Sequence, residues 1–252
     1  DACHALGGGY WDDKESYNKI GNCKHSDLTV FSFHPIKNIT TGEGGAITTN
    51  SKDLYNKLKL IRNHGVVRDK ESFINKEMAY TEYKGKYDLN PWYYEMHYLA
   101  HNFRLTDFQC ALGNSQLKKL DKFVKKRQDL ASKYTYLINK KLQEFVRFPP
   151  VLEKVIHAYH LYIVFINFTK IKGGRSRLMK YLLENNIQTQ VHYIPIHLQP
   201  YYQKAYSLKF DLPNSEIFYN KCLSLPLFPE MNEKQVSYVV DKLKEGINIL
   251  SI

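Results

Sequence analysis

An α/β chain with a smaller α+β lobe at its C-terminal end is what this sequence predicts, on three observations. Up to about Lys126, short apolar stretches alternate with helical ones, the pattern of a mixed, mostly parallel sheet flanked by helices. From about Val151 the order changes to strand, glycine turn, helix, strand and closing helix. Between the two, Phe148-Pro-Pro150 rules out further helix, because proline has no N–H to donate and its ring crowds the preceding turn. Residues 1–142 are therefore read as a large-domain portion with a long interdomain helix, and residues 143–252 as a small α+β domain.

Each element has its own signal. Leu28-Thr-Val-Phe-Ser-Phe33 and Ala46-Ile-Thr-Thr49 are short β-branched and aromatic runs, and a helix is expected over Asp53–Arg62. The polar stretch from about Arg68 to Asp88 reads as loop, and Asn90–Met96 is rich in aromatic side chains. Leu105, Phe108, Leu112 and Leu120 follow helical spacing, with Thr106 or Asp107 able to start a helix that continues to about Leu142. In the lobe the expected order is strand His160–Phe168, turn Gly173-Gly174, helix Arg175–Glu184, strand Thr189–Tyr193 and a long loop. Leu225-Pro-Leu-Phe-Pro229 then precedes a helix with Val236, Val239, Val240, Leu243 and Ile247 on one face.

Composition narrows the function classes. The net charge is +11, with a dense run at Lys118, Lys119, Lys122, Lys125, Lys126 and Arg127. Leu117, Leu120 and Val124 hold an apolar stripe beside that run, so it reads as the solvated face of a helix and not as a nucleic-acid surface. The longest apolar run, Tyr159–Phe168, falls well short of the ~20 residues of a membrane helix. Cys3, Cys23, Cys110 and Cys222 show no Cys-x-x-Cys pair, which suits reduced thiols in the cytoplasm. His97 and His101 stand four apart with no carboxylate between them, unlike a zinc helix, and no metal is expected. No signal peptide is visible. The chain opens without Met on a motif that ordinarily ends a strand, so its natural beginning, with any targeting segment, is expected to be missing.

The most informative segment is Phe31-Ser-Phe-His-Pro-Ile-Lys-Asn-Ile-Thr-Thr-Gly-Glu-Gly-Gly-Ala46. It sets Lys37 between a strand end and a glycine-rich turn. A lysine partly desolvated there has a lowered pKa, and its neutral amine can form a Schiff base.

Ser-Phe-His-Pro-x-Lys-x-Ile-Thr-Thr-Gly-Glu-Gly-Gly resembles the cofactor-lysine motif of the nucleotide-sugar aminotransferases, the DegT/StrS group of pyridoxal 5'-phosphate (PLP) enzymes. Asp1-Ala-Cys-His-Ala-Leu-Gly-Gly8 resembles that family's strand-end aspartate motif. His101-Asn-Phe-Arg-Leu-Thr-Asp107 resembles the start of its interface helix. The resemblance implies a fold-type-I PLP-transferase architecture. Asp1 then faces the pyridine nitrogen, and His4 lies near the ring. Lys37 carries the cofactor, and Ser32 is a phosphate ligand. Asn102 and Arg104 reach the cofactor phosphate of a neighbouring subunit, which implies a homodimer with shared sites.

Gln190-Val-His-Tyr-Ile-Pro-Ile-His197 resembles a segment over the substrate mouth, which makes His192, Tyr193 and His197, with His34, candidates for substrate contact. Pro91-Trp-Tyr-Tyr-Glu-Met96 is similar to the subgroup making 4-amino-4,6-dideoxy sugars for pseudaminic acid. The implied reaction moves an amino group from L-glutamate to C4 of a UDP-linked 4-keto-6-deoxy-N-acetylhexosamine. The family's first part, with its phosphate loop and stacking aromatic, has no counterpart here. A PLP sugar dehydratase, a 3-keto-sugar aminotransferase and a non-catalytic regulatory module on the same fold are the alternatives. Related dehydratases replace the lysine with histidine, and Lys37 argues against that one.

Overall fold

The computed structural model describes residues 1–206 and 211–252. In chain order its first elements are β1 (Gly9–Trp11), β2 (Tyr17–Lys19), β3 (Thr29–Ser32), β4 (Gly45–Thr48), α1 (Lys52–Arg62) and β5 (Val66–Val67). Next come α2 (Lys76–Ala79), β6 (Tyr80–Tyr83), β7 (Lys86–Leu89), β8 (Glu95–Met96), α3 (Asp107–Leu117) and α4 (Leu120–Leu142). The remainder is β9 (Val146–Arg147), β10 (Val155–Ile156), β11 (Tyr162–Ile166), α5 (Gly174–Glu184), α6 (Pro200–Tyr206), α7 (Pro213–Lys221), β12 (Cys222–Leu225) and α8 (Glu233–Leu250).

The chain divides into two compact units. The first comprises Asp1–Ala2 and Gly21–Gln116. At its centre β3 and β4 pair antiparallel, with Val30 opposite Ile47, Phe31 opposite Ala46 and Ser32 opposite Gly45. Phe31 is buried, and the Ala2 N–H donates to Val30 O, so the chain start runs beside β3. Helix α1 begins at Ser51, whose side chain accepts from the Leu54 N–H, and it carries Lys59 and Arg62 in its last turn. Both ends thereby complement the helix dipole.

A second small core in this unit joins Val67, Phe73 and Ala79. Beside it, the Glu95 carboxylate accepts from the Ile74 N–H (2.8 Å), the Asn75 N–H (2.8 Å), the Tyr93 hydroxyl (2.9 Å) and His97 Nε2 (2.6 Å). Partial burial alone would raise its pKa. The four donors outweigh that and pull it down to about 2. A depressed carboxylate pKa stabilises the fold above the ordinary value near 4.5, and this contribution drains away as pH falls toward about 2. Glu95→Gln is therefore expected to lower the melting temperature at neutral pH and to flatten its fall between pH 4.5 and 2. Circular dichroism melts across that window check both, and an unchanged acid profile would remove Glu95 as the anchor of this segment.

The second unit comprises Cys3–Ile20 and Leu117–Ile252. Its core joins the antiparallel sheet β12-β11-β9 to helices α4, α5 and α8. Strand β11 alternates, burying Tyr162, Val164 and Ile166. Helix α8 opens with a reciprocal capping box between Asn232 and Gln235 and buries the predicted face Val236, Val239, Val240, Leu243 and Ile247. Each fully buried leucine or isoleucine here contributes about 1.5–3 kcal/mol of hydrophobic stabilisation.

Several expectations are corrected. Among the described residues every strand pair is antiparallel, so this portion forms none of the expected parallel pairing. The single long helix breaks at Lys118–Lys119 into α3 and α4. The compact units divide between Gln116 and Leu117, and α4 packs its buried stripe against α8. The polar stretch after Arg68 is not loop throughout, since it carries α2 and the β6–β7 hairpin. Thr189–Tyr193 is not a strand, and only Gln190 bridges to Ser224. The described part of the loop before Leu225 holds α6 and α7. Arg127 does not lie on the solvated face but is 4% exposed, and Leu117 is not in the stripe but exposed.

Candidate active site

In the first unit the site is built around the loop between β3 and β4. The Phe33 N–H donates to Gly44 O (2.8 Å), which closes the loop. Phe33 O accepts from the Thr41 N–H and from Thr40 Oγ1, each at 3.0 Å. Thr40 Oγ1 also receives the Gly42 N–H, and Thr41 Oγ1 donates to Glu43 O (2.8 Å). Gln109 Nε2, from α3, donates to the same Glu43 carbonyl (2.9 Å). Gly45 must be glycine, since a Cβ there would lie 2.5 Å from Phe31 O and force the strands apart. Both threonine hydroxyls of the motif and Gly45 thus serve the fold of the loop.

That loop holds Lys37 half-buried, with its backbone N–H donating to His34 O (2.9 Å) and Asn38, Ile39 and Thr41 buried beside it. Ser32 ends β3, and its Oγ accepts from the His34 N–H (3.3 Å). The His34 imidazole faces Glu43 at 3.8 Å. Asp1 is exposed and immediately precedes Ala2, which is tied to β3 two residues before Ser32. A carboxylate, a hydroxyl and an amine are therefore carried by one strand and its flanks.

Asn102 and Arg104 are exposed on the same unit, at the end of α1. The Phe103 N–H donates to Arg62 O (2.9 Å) and the His64 N–H to His101 O (3.0 Å). Asn102 Oδ1 accepts from the Arg104 N–H (3.1 Å), and Arg104 Nη1 donates to Asn63 Oδ1. The clamp requires Gly65, which has φ +65° and where a Cβ would collide with the Tyr98 carbonyl. Thr106 then starts α3: its Oγ1 accepts from the Gln109 N–H, and Gln109 Oε1 accepts from the Thr106 N–H.

The remaining predicted residues lie in the second unit. Tyr193 OH stands 3.4 Å from His4 Nε2, so these two are brought together. Burial raises the Tyr193 pKa and keeps the phenol protonated at neutral pH. His192 Nδ1 bonds Ser224 Oγ (2.8 Å). His197 is buried against Glu216, with Nε2 to Oε1 at 3.1 Å, and so is held by α7 rather than beside His4. Tyr193, Ile194, Ile196, His197, Leu212 and Phe218 line a cleft of about 810 Å³. Sequence reasoning missed Gln109 and Glu95 as organisers. The near partners of each, Thr106 for Gln109 and Tyr93 and His97 for Glu95, were within reach of the sequence, whereas the bonds that make them organisers, to Glu43 O and to the Ile74 and Asn75 N–H groups, span 20 to 66 residues.

The chain belongs to the DegT/DnrJ/EryC1/StrS aminotransferase family, whose model matches residues 1–244. It is 37% identical over 251 residues to an uncharacterized protein of Methanocaldococcus jannaschii, covering 98% of this chain and 59% of that one. It is 36% identical over 248 residues to the UDP-4-amino-4,6-dideoxy-N-acetyl-beta-L-altrosamine transaminase of Campylobacter jejuni, covering 96% and 56%. Among solved structures it resembles PseC of Helicobacter pylori, an aminotransferase involved in the biosynthesis of pseudoaminic acid. That match has TM-score 0.80 and 30% identity, covering 99% of this chain and 59% of the other. The chain therefore spans less than two thirds of the length of these relatives.

Proposed function

We propose that this chain belongs to a PLP-dependent aminotransferase. In this reading it moves an amino group from L-glutamate to C4 of a UDP-linked 4-keto-6-deoxy-N-acetylhexosamine, in the making of a pseudaminic-type amino sugar. The observation that carries the reading is the folded loop that holds Lys37 half-buried one turn beyond the end of β3. The donor set fits the cofactor: an amine to hold its aldehyde carbon, a carboxylate for its ring nitrogen and a hydroxyl for its phosphate. Similarity to the Campylobacter jejuni transaminase supports the substrate class.

Bound PLP supplies a conjugated electron sink through which an amino group can be exchanged between carbon skeletons. Lys37 anchors the group and, once released, carries a proton between the cofactor carbon C4′ and sugar C4 as general acid and base. Asp1 holds the proton on the ring nitrogen. Ser32 binds phosphate, with Asn102 and Arg104 contributing to the site of a second subunit in a homodimer. His4 lies against the ring, while His34, His192, Tyr193 and His197 contact the sugar nucleotide or the donor carboxylate. The net charge of +11 favours a diphosphate sugar and a dicarboxylate donor. We place the activity in the cytoplasm, where the four thiols would be kept reduced.

A panel of 3-keto and 4-keto nucleotide sugars, with the aminated carbon assigned by NMR, tests the assignment on the complete protein. Amination at C4 of the UDP-linked acetamido sugar is expected. Preferential amination at C3, or activity only on a dTDP sugar without the acetamido group, would overturn the substrate class.

A further inference from the structure

Arg127 sits in the basic run of α4, yet it is 4% exposed. Its Nη1 donates to three carbonyls: Tyr159 O (3.2 Å), His160 O (3.2 Å) and Leu227 O (2.8 Å). Two of these belong to consecutive residues of a tight turn. Tyr159 has φ +44°, a left-handed conformation that a bulky side chain rarely adopts. Its N–H is held by His157 Nδ1 (2.9 Å). With the N–H fixed on one side and two carbonyls on the other, the turn has a single orientation.

That turn delivers His160, which is 4% exposed, beneath His4. The two imidazole centroids are 4.4 Å apart with the planes tilted by 59°. His4 also meets Tyr193 OH at 3.4 Å. A guanidinium remote from the motif residues is thus linked through one turn to the imidazole that the family motif sets against the cofactor ring. A lysine in its place would be a more flexible point charge, without the rigid guanidinium plane that fixes where the donor nitrogen sits.

We propose that Arg127 is a positioning residue: it locks the left-handed turn at Tyr159 so that the buried His160 ring fixes the orientation of His4. The linkage lies wholly within the second unit and exists without any bound group. It rests on the cofactor reading only for its effect on turnover. Displacing His4 by a fraction of an ångström would disturb the ring it supports and the Tyr193 hydroxyl beside it.

The experiment is side-chain ¹H–¹⁵N NMR of the histidine rings in the chain without added PLP, with the His4 signals assigned from His4→Gln. Arg127→Lys and His160→Gln are each expected to move the His4 ring resonances while the Val240 methyl signals of the α8 core stay in place. Tyr159→Gly, whose glycine adopts φ +44° unaided, is expected to return them part of the way in the Arg127→Lys background. In the complete enzyme kcat should fall on the order of 10- to 10²-fold in the same order of variants. Unmoved His4 resonances in either single variant overturn the proposal. If Arg127→Lys does not fold, the double variant with Tyr159→Gly decides: a restored fold with displaced His4 signals supports the linkage, and any other result overturns it. A failure to bind PLP would leave the NMR linkage intact and count against the cofactor reading alone.

Discussion

Lys37→Ala is expected to abolish amination in the complete protein while leaving the fold unchanged. The loop geometry explains why the two effects separate. The loop is closed by contacts from Phe33 to Gly44, from Thr40 and Thr41 to Phe33, and from Gln109 to Glu43, and these remain when the lysine is cut back to alanine. Removing the amine therefore deletes both the anchor for the cofactor and the group that moves the proton, with little cost to packing. A positioned acid–base group alone accounts for about 10²–10⁴-fold in rate, so a loss of at least 10⁴-fold is the expected magnitude. The companion measurement is borohydride reduction of the loaded protein followed by peptide mass spectrometry. The label should sit on Lys37 and be absent from the alanine variant. A pyridoxyl group on any other lysine would sink the mechanism.

The same loop shows what a sequence can reveal. The loop around Lys37 was legible because its residues are turn residues whose roles are local: hydroxyls that cap carbonyls a few residues away, and a glycine facing the opposite strand. The face of α8 was legible for the same reason, since 3.6-residue periodicity is a local signal. Arg127 was not. It stands among lysines, and only carbonyls 32, 33 and 100 residues further along the chain reveal that it is buried. The break between α3 and α4 falls at Lys118–Lys119, where neither glycine nor proline gives it away. The β6–β7 hairpin was hidden because almost all of its residues are exposed and show no alternation. Its turn did carry a signal, Lys84-Gly85, both residues with positive φ, as a two-residue hairpin turn demands. The stretch Thr189–Tyr193 has strand-like residues, but the chain turns at Pro195 and makes one bridge only, so tertiary context overrode local propensity.

Asp1→Asn is expected to spare cofactor capture and to remove most turnover. The substitution is nearly isosteric and changes no backbone group, so the Ala2 N–H bond to Val30 O that sets the residue beside β3 should persist. What changes is charge. A carboxylate there would keep the proton on the pyridine nitrogen, the state in which bound PLP supplies its electron sink. An amide presents either a dipole or a competing N–H donor to that nitrogen, and the proton is lost to solvent. Losing one preorganised electrostatic contact at the reacting centre costs about 10²–10³-fold, and the effect should fall on kcat with little change in KM for the sugar. The direct readout is the deuterium exchange rate at the α-carbon of L-glutamate in the half-reaction, followed by NMR. That exchange should slow by the same factor as kcat, while borohydride still labels Lys37. Near-normal exchange in Asp1→Asn would show that another group protonates the ring and that Asp1 has no such role.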